Sequence, residues 1–590
     1  MAEFADFKGT DLKEFSSILH SKAQEGLAAI EELKGTMEQI AASAEESAGA
    51  AEESLSSVTQ IKRSSQYLES ETNKVFNTIS DLKEVLDIAQ ENINDTRMGI
   101  ERTLKSASAI ILKEEKLFES GKKISEAVEL ITKLSKRISI LALNAAIEAT
   151  RAKDTGKSFT IMASEIREMA AKSNIYASNV KDTVKNIQDR LHKLHNEVEK
   201  VDSRISAASK DSEKVIDLIN EIVEWMSQVS ANIKEVLSSV EKVAFEIEKL
   251  HQGAEVIAEA SEKSAVAVNS VTETVGRNLE TFAKVEEVAE EIKSLIQSGD
   301  KEKLKIAIDT ISNLTVELRA SMEKLVAAFD QIEQAALISK EDAANNATVS
   351  KDSLSHMSNA KNLIIKVKEN MEKMSGNFET IIEKIYKLIQ DSKSNVELLE
   401  SRKGDIVEIK AILNLFISMI RKIELSIVQI AALSINGAVE AARYGNTGTG
   451  FSEVSKDIKK LAAQSEEHLD RVFRTINEIA KETDSILLEV NNVLIYQNRE
   501  VEKLQKLEFE LRRNYKAVES ALKKIKEFQK HVEESYTALE QAKIASDQIN
   551  EAAQISLSNI SQSKEAAEMI LGISKDLENM KKRLSELCEV

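Results

Sequence analysis

Not one of the 590 residues is proline. At ordinary usage a chain this long would carry about thirty. Proline inside a helix removes a backbone hydrogen bond, clashes with the preceding turn and costs roughly 3 kcal/mol. Its complete absence is what very long uninterrupted helices demand. Aromatic residues make up only 4% and charged residues 30%, so such helices must pack along narrow aliphatic seams, not around a thick globular core. The expected fold is all-α.

Three places break the helical pattern: Ala152–Gly156, Ser298-Gly299-Asp300 and Tyr444–Gly448. Gly299 reads as a helix end and Asp300 as the next N-cap. The spacing predicts helices from about Ser16 to Arg151, Lys157 to Gln297, Lys301 to Arg443, and Thr449 onward. Two antiparallel coiled-coil hairpins then stand in tandem: hairpin 1 over 16–297 with its tip at about 152–157, and hairpin 2 over 301–590 with its tip at about 444–449. Residues 298–300 link them. The arms match in length, at roughly 200 Å each for 1.5 Å per residue. Pairing within the chain gives an up-down-up-down four-helix bundle; the alternative is two hairpins that each pair with another copy. A three-residue linker favours the first. Residues 1–15 form a tail too short for a sensory domain, either stapled down by Phe4, Phe7 and Phe15 or frayed.

The net charge of −19 argues against nucleic acid as a partner. Cys588 is the single cysteine, which excludes a disulfide framework. No run of about 18 apolar residues exists to insert in a membrane, and the N-terminus lacks a basic-then-apolar export pattern. A cytoplasmic protein is expected. No phosphate loop, nucleophile elbow or catalytic carboxylate pair is present, so neither an enzyme nor a cofactor is expected. His192 and His195 lie at i,i+3 but have no further ligand pattern, so they read as a solvated face and not a metal site. Trp225 reads as a packing residue. The sparse glycines along the arms read as residues the helices tolerate more than as hinges.

The stretch Ile138–Arg167, ISILALNAAIEATRAKDTGKSFTIMASEIR, contains the first tip. Leu141, Ala145 and Glu148 continue, by heptad spacing, a seam begun at Ile131, Leu134 and Ile138. Ile140, Asn144 and Ile147 form a second stripe. Asn144, Glu148 and Arg151 share one face just before the turn, where spacing alone allows a surface ion pair. A weaker copy runs over Ile427–Leu461, IVQIAALSINGAVEAARYGNTGTGFSEVSKDIKKL. Upstream of it, Leu413, Ile420 and Ile427 make one heptad row and Phe416, Ile423 and Ile430 another.

The run ALNAAIEA-x-RA, then G-x-x-F, then A-x-E-I-R, resembles the hairpin tip of bacterial and archaeal methyl-accepting chemotaxis proteins. In that family two identical hairpins from two chains make the signalling bundle, so this chain looks like such a dimer fused into one polypeptide. The resemblance implies receptor–receptor contacts through Ile140, Leu141, Asn144, Ile147, Glu148 and Arg151 in tip 1, and through Leu433, Asn436, Val439, Glu440 and Arg443 in tip 2. It implies docking of a chemotaxis histidine kinase and an SH3-like coupling protein on Phe159, Ile161, Glu165 and Arg167, and on Phe451 and Val454. Glu453 stands where the family is apolar, with Asp457 and Lys459 as conservative replacements, so tip 1 is expected to be the principal docking site. Tip 1 departs elsewhere: Lys136 and Arg137 replace an aromatic and a glutamine, and Lys153 and Ser158 replace glycines. Tip 2 keeps Gln429 and Gly445, Gly448 and Gly450. Each tip retains what the other has lost.

In AASAEESAGAAEESLSS, Glu45/Glu46 and Glu52/Glu53 recur one heptad apart, flanked by small residues that leave the carboxylates accessible. This is similar to the family's methylation motif and implies a methyltransferase and a methylesterase as partners. Glu38/Gln39 and Glu262 are weaker copies. Hairpin 2 has no comparable pair, and the closing SELCEV lacks an aromatic-rich tether. The expected function is a chemoreceptor-like transducer controlling a histidine kinase through a coupling protein, tuned by reversible glutamate methylation. The alternative is a non-switching structural rod within a chemosensory array.

Overall fold

The computed structural model describes residues 2–298 and 300–589, with side chains over 13–298, 300–583 and 585. Phe4, Phe7, Gly299 and Cys588, singled out above, have side chains outside that set. Four helices account for nearly all of it: α1 (Ala2–Arg151), α2 (Lys157–Ser298), α3 (Lys301–Arg443) and α4 (Thr449–Glu589). The two turns are four-residue 3-10 segments, Lys153–Gly156 and Gly445–Gly448. At the one described break outside the tips, the Asp300 carboxylate accepts a hydrogen bond from the Lys303 backbone N–H at 3.2 Å, an N-cap contact. Helix α1 reaches back to Ala2, across the segment expected as a tail. Phe15 is buried there, and the Ser16 hydroxyl donates to the Ala289 carbonyl at 3.0 Å.

The chain divides into two compact units, and each helix gives a segment to both. Unit 1 takes Met1–Ser80, Met226–Glu372 and Ser520–Val590; unit 2 takes Asp81–Trp225 and Lys373–Glu519. In unit 1 one apolar core draws Leu19–Ile40 from α1, Ala267–Leu295 from α2, Leu304–Ile332 from α3 and Ile560–Leu577 from α4. A second, alanine-rich layer joins Ala50, Ala51, Ile257, Ala343, Ala545 and Ile549. Polar ties set the neighbours. α1 meets α4 at Thr36–Ser563 (2.8 Å), and α3 meets α4 at Lys564–Asp330 (2.8 Å) and Lys564–Glu333 (2.6 Å). Four helices from one chain therefore enclose one core, as the intrachain bundle requires.

Unit 2 repeats the arrangement. α1 lies beside α2 (Ser135–Ser173, 3.0 Å) and α4 (Lys113–Glu489, 3.5 Å). α3 lies beside α2 (Arg190–Asp405, 3.3 Å) and α4 (Lys410–Asp484, 2.7 Å). The rows Leu413/Ile420/Ile427 and Phe416/Ile423/Ile430 are buried as their heptads predict. On α1 the seam departs from expectation. After Ile131, Leu134 and Ile138 the buried positions are Ala142 and Ala149, while Leu141 and Ala145 are half-buried and Glu148 is exposed. The step from Ile138 to Ala149 is eleven residues, three turns at about 3.67 per turn, so a nearly straight helix keeps these two on one face where a strict heptad drifts off it. Trp225 is half-buried, as a packing residue should be. Among the described residues no helix is long and apolar enough to cross a membrane.

Candidate functional site

Both tips are built by the same local chemistry. Each 3-10 turn ends in a glycine pressed onto the end of the incoming helix. A methyl group on Gly156 would lie 2.7 Å from the Ala149 carbonyl carbon, and one on Gly448 would lie 2.9 Å from that of Ala441. Hydroxyls close the turns: Thr155 donates to the Ala152 carbonyl and Thr447 to the Tyr444 carbonyl, both at 2.8 Å. The first turn residue takes a left-handed conformation, φ 50° at Lys153 and φ 58° at Gly445. Glycine holds that shape freely, whereas a side chain is strained by about 1 kcal/mol or more.

The tips also share one core. Ala149, Phe159, Ala441 and Phe451 form a buried cluster with Met162 against it. The rings of Phe159 and Phe451 stack with centroids 4.3 Å apart and planes 12° from parallel, and Tyr444 is tilted against Phe159 at 6.1 Å. Tip 1 and tip 2 are therefore one apposed pair.

Around that pair the surface residues divide cleanly. On α1, Ile140 and Ile147 are each 58% exposed, Asn144, Glu148 and Arg151 are exposed, and Leu141 is half-buried. On α3, Val439, Asn436 and Arg443 are exposed, while Leu433 and Glu440 are half-buried. The Glu148–Arg151 and Glu440–Arg443 ion pairs form within their own helices at 3.7 and 3.0 Å, and pairs this exposed contribute little. On the returning helices Ile161 is 64% exposed beside exposed Glu165 and Arg167. Phe159 and Phe451, expected to face partners, are buried in the shared core instead. In tip 2 Val454 is half-buried and Glu453 is exposed.

One apolar surface extends well beyond Val439, its single member among the residues that the resemblance implies. The outer face of α3 exposes Leu425, Val428, Ile435 and Val439, with Ala432 and Ala442 completing a strict 3-4 spacing that carries no charge. That spacing, set opposite the buried seam, was the available signal. α1 carries Lys133 and Lys136 where α3 has Leu425 and Val428.

In unit 1, Glu45, Glu46, Glu52 and Glu53 are all exposed on α1, as are Glu38 and Gln39. Glu45 and Glu52 face Glu262 of α2 across an open groove floored by Ala44, Ala48, Ala258 and Ala265. Among the described residues none of Glu45, Glu46, Glu52, Glu53 or Glu262 is ion-paired. Elsewhere, His195 approaches the buried Glu114 carboxylate at 3.3 Å and His192 packs on Phe118. Among the described residues no group of three or more potential ligands is placed to hold a metal ion. Burial pushes the Glu114 carboxyl up to about 8.

A profile of the methyl-accepting chemotaxis protein (MCP) signalling domain matches residues 89–261 and 389–556, more than half of the chain. The chain belongs to this family. Each matched segment spans one tip, so the family's unit occurs twice. Methyl-accepting chemotaxis protein McpB of Bacillus subtilis is 33% identical over 99 residues, 17% of this chain and 13% of that protein. Methyl-accepting chemotaxis protein NahY of Pseudomonas putida is 22% identical over 170 residues, 29% of this chain and 32% of the relative. Protein PilJ of Pseudomonas aeruginosa is 34% identical over 103 residues, 18% and 13% of the two chains. The matches span less than a third of each of these relatives.

Proposed function

We propose that this chain is a cytoplasmic chemotaxis signal transducer in which one polypeptide supplies both signalling hairpins, 16–297 and 301–590. It controls a chemotaxis-type histidine kinase through an SH3-like coupling protein. The observation that carries this reading is the apposed tip pair, held by the Phe159–Phe451 stack, with exposed apolar and polar residues on its outer faces.

Two surfaces serve two kinds of partner. The outer faces of α1 and α3 meet other receptor molecules: Ile140, Leu141, Ile147, Leu433 and Val439 supply contact area. Asn144, Glu148, Arg151, Asn436, Glu440 and Arg443 set register and partner choice more than affinity. Ile161, Glu165 and Arg167 on α2 take the kinase and coupling protein, with Phe159 and Phe451 acting from below by fixing α2 and α4. Glu453 puts a charge where Ile161 puts an apolar anchor, and a charge at the centre of such a contact weakens it. Tip 1 is the principal dock, and Val454 offers tip 2 a partial one.

Glu45, Glu46, Glu52 and Glu53, with Glu38, Gln39 and Glu262 as weaker members, are the adaptation sites. Esterification by a methyltransferase removes a negative charge, and hydrolysis by a methylesterase restores it. Unpaired carboxylates facing across an alanine-floored groove repel, so neutralisation tightens the α1–α2 contact by a few tenths of a kcal/mol per pair. Acting together, such increments bias a two-state bundle. The same helices carry these carboxylates and end in the tips.

The test is co-purification and kinase activity with the full chain, kinase and coupling protein. Ile161→Glu is expected to abolish kinase binding, and Glu148→Ala to weaken assembly between receptors. A chain that binds neither protein, or is unchanged by both substitutions, is a passive rod. Peptide mass spectrometry after exposure to a methyltransferase should find added methyl groups on Glu45, Glu46, Glu52 and Glu53.

A further inference from the structure

Two glycines in the arms are not hinges but holes. In unit 2, Gly99 of α1 lies against Glu500 of α4: a methyl group on Gly99 would come within 2.7 Å of Glu500 Cδ and 3.1 Å of its Cγ. Glu500 is buried, and its Oε2 has no hydrogen-bond partner among the described residues. In unit 1, Gly253 of α2 lies against Asn346 of α3, where a methyl group would sit 2.8 Å from both Cγ and Nδ2. Asn346 is buried too, and its Nδ2 is likewise unpartnered among the described residues. A buried polar side chain that is not fully satisfied costs stability. Two of them, each seated on a glycine, invite the question of what they select.

Both contacts run between hairpins and in the same sense, with the glycine in hairpin 1 and the polar knob in hairpin 2. The hairpins correspond at an offset of 292, as Phe159 and Phe451 or Gly156 and Gly448 show. At that offset Gly99 matches Asp391, Glu500 matches Ala208, Gly253 matches Ala545 and Asn346 matches Ser54. The reciprocal contacts are therefore Asp391 with Ala208 and Ala545 with Ser54, neither of which has a glycine hole. If two copies of hairpin 2 paired, Glu500 would face Asp391, a second carboxylate. Asn346 would face Ala545, whose methyl group stands where Gly253 leaves room. If two copies of hairpin 1 paired, Gly99 would face Ala208 and Gly253 would face Ser54, leaving both glycine holes of each copy unfilled.

We propose that Glu500 in Gly99 and Asn346 in Gly253 are one-way pairing keys that make hairpin 2 the required partner of hairpin 1 and reject like-with-like pairing between chains. A buried polar residue at a helix–helix seam fixes register and partner at some cost in stability. Here the cost falls most heavily on the wrong pairings, which is how specificity against an alternative is built. The flanking contacts hold the register locally. Gln497 Nε2 donates to Thr103 Oγ1 at 3.3 Å, and Lys503 pairs with Asp95 at 3.0 Å, one to either side of Glu500. The consequence is insulation: hairpins of two copies, or of a related receptor with symmetric arms, do not exchange partners with this chain.

Two measurements on the full chain test this. In a double-mutant cycle, Gly99→Ala should lower the thermal midpoint by several degrees, and Glu500→Ala in the same chain should recover most of the loss. The same should hold for Gly253→Ala with Asn346→Ala. If the paired losses simply add, the keys do not exist. In the second, differently tagged chains are unfolded together, refolded and diluted. Both carry Ile147→Glu and Val439→Glu, which keeps contacts through the tips out of the readout. Wild-type keys should give almost no cross-captured chain. Chains with alanine at 99, 253, 346 and 500 should give at least about tenfold more, persisting on dilution. Equal exchange in the two, whether high or absent, overturns the selection.

Discussion

Tip 1 and tip 2 share a backbone and differ in what they show to solvent. Each has a four-residue 3-10 turn, a terminal glycine against the helix-end carbonyl, and a phenylalanine in the shared stack. The features that create the shape are duplicated: Gly156 and Gly448, Phe159 and Phe451. The surface features are duplicated only in part: Asn144, Glu148 and Arg151 recur as Asn436, Glu440 and Arg443, whereas others diverge. Ile161 is answered by Glu453, Lys136 by Val428 and Lys133 by Leu425. Packing constrains the first set from inside, because close contacts admit few side chains. Packing inside the bundle places no such limit on the exposed positions 133, 136 and 161 or on 425, 428 and 453, which leaves them free to diverge.

The largest expected effect breaks the shared core. Phe159→Ala should cost about 3–5 kcal/mol of unit 2 stability in denaturant unfolding. It should loosen tip 2 as much as tip 1, seen as faster hydrogen exchange around Tyr444. Loosening confined to tip 1 would mean the tips are independent.

Next comes an asymmetry deeper in the same unit. Glu114 is buried where hairpin 2 has Ile406, which is equally buried. Burial raises its folded-state pKa to about 8, well above its ordinary 4.5, so its contribution is full below about pH 4.5 and is lost as pH rises through about 8. Chemical denaturation from pH 5 to pH 9 should show unit 2 losing up to several kcal/mol relative to a Glu114→Gln chain, whose profile should lack that fall. The His195 ring lies 3.3 Å from this carboxylate, so His195→Gln is the control that removes that contact.

Smaller still is the turn itself. Lys153→Gly should stabilise tip 1 by about 1 kcal/mol, and Gly445→Lys should destabilise tip 2 by a similar amount, because both positions hold φ above zero. Thermal midpoints of the two variants should move in opposite directions. At the bottom of the scale, Glu148→Ala and Glu440→Ala should each change stability by under about 0.5 kcal/mol. A larger cost from either would make it a structural residue and not a contact residue.

Much of this was legible in the sequence. The turns, the helix starts at Lys157, Lys301 and Thr449 and the ends at Arg151 and Arg443 follow from glycine placement and the lack of proline. What escaped depends on where a helix face points after many turns. Glu148 falls on the expected heptad but off the real seam, because the helix keeps closer to 3.6 residues per turn than to 3.5. Phe159 and Phe451, which the resemblance implies as partner-facing, bury each other, a contact between positions 292 apart that no local pattern announces. Gly99 and Gly253 looked like tolerated residues, since a hole is visible only once the knob that fills it is placed.

The most direct test of unequal tips is a reciprocal exchange at one pair of positions. Kinase activity is measured in a reconstituted mixture of full chain, kinase and coupling protein, for Ile161→Glu, for Glu453→Ile and for the two combined. Ile161→Glu should lose at least about tenfold, Glu453→Ile should gain modestly, and the combined chain should be substantially rescued as docking moves to tip 2. Equal losses from disturbing either tip, or a combined chain no better than Ile161→Glu alone, would contradict unequal docking at the tips.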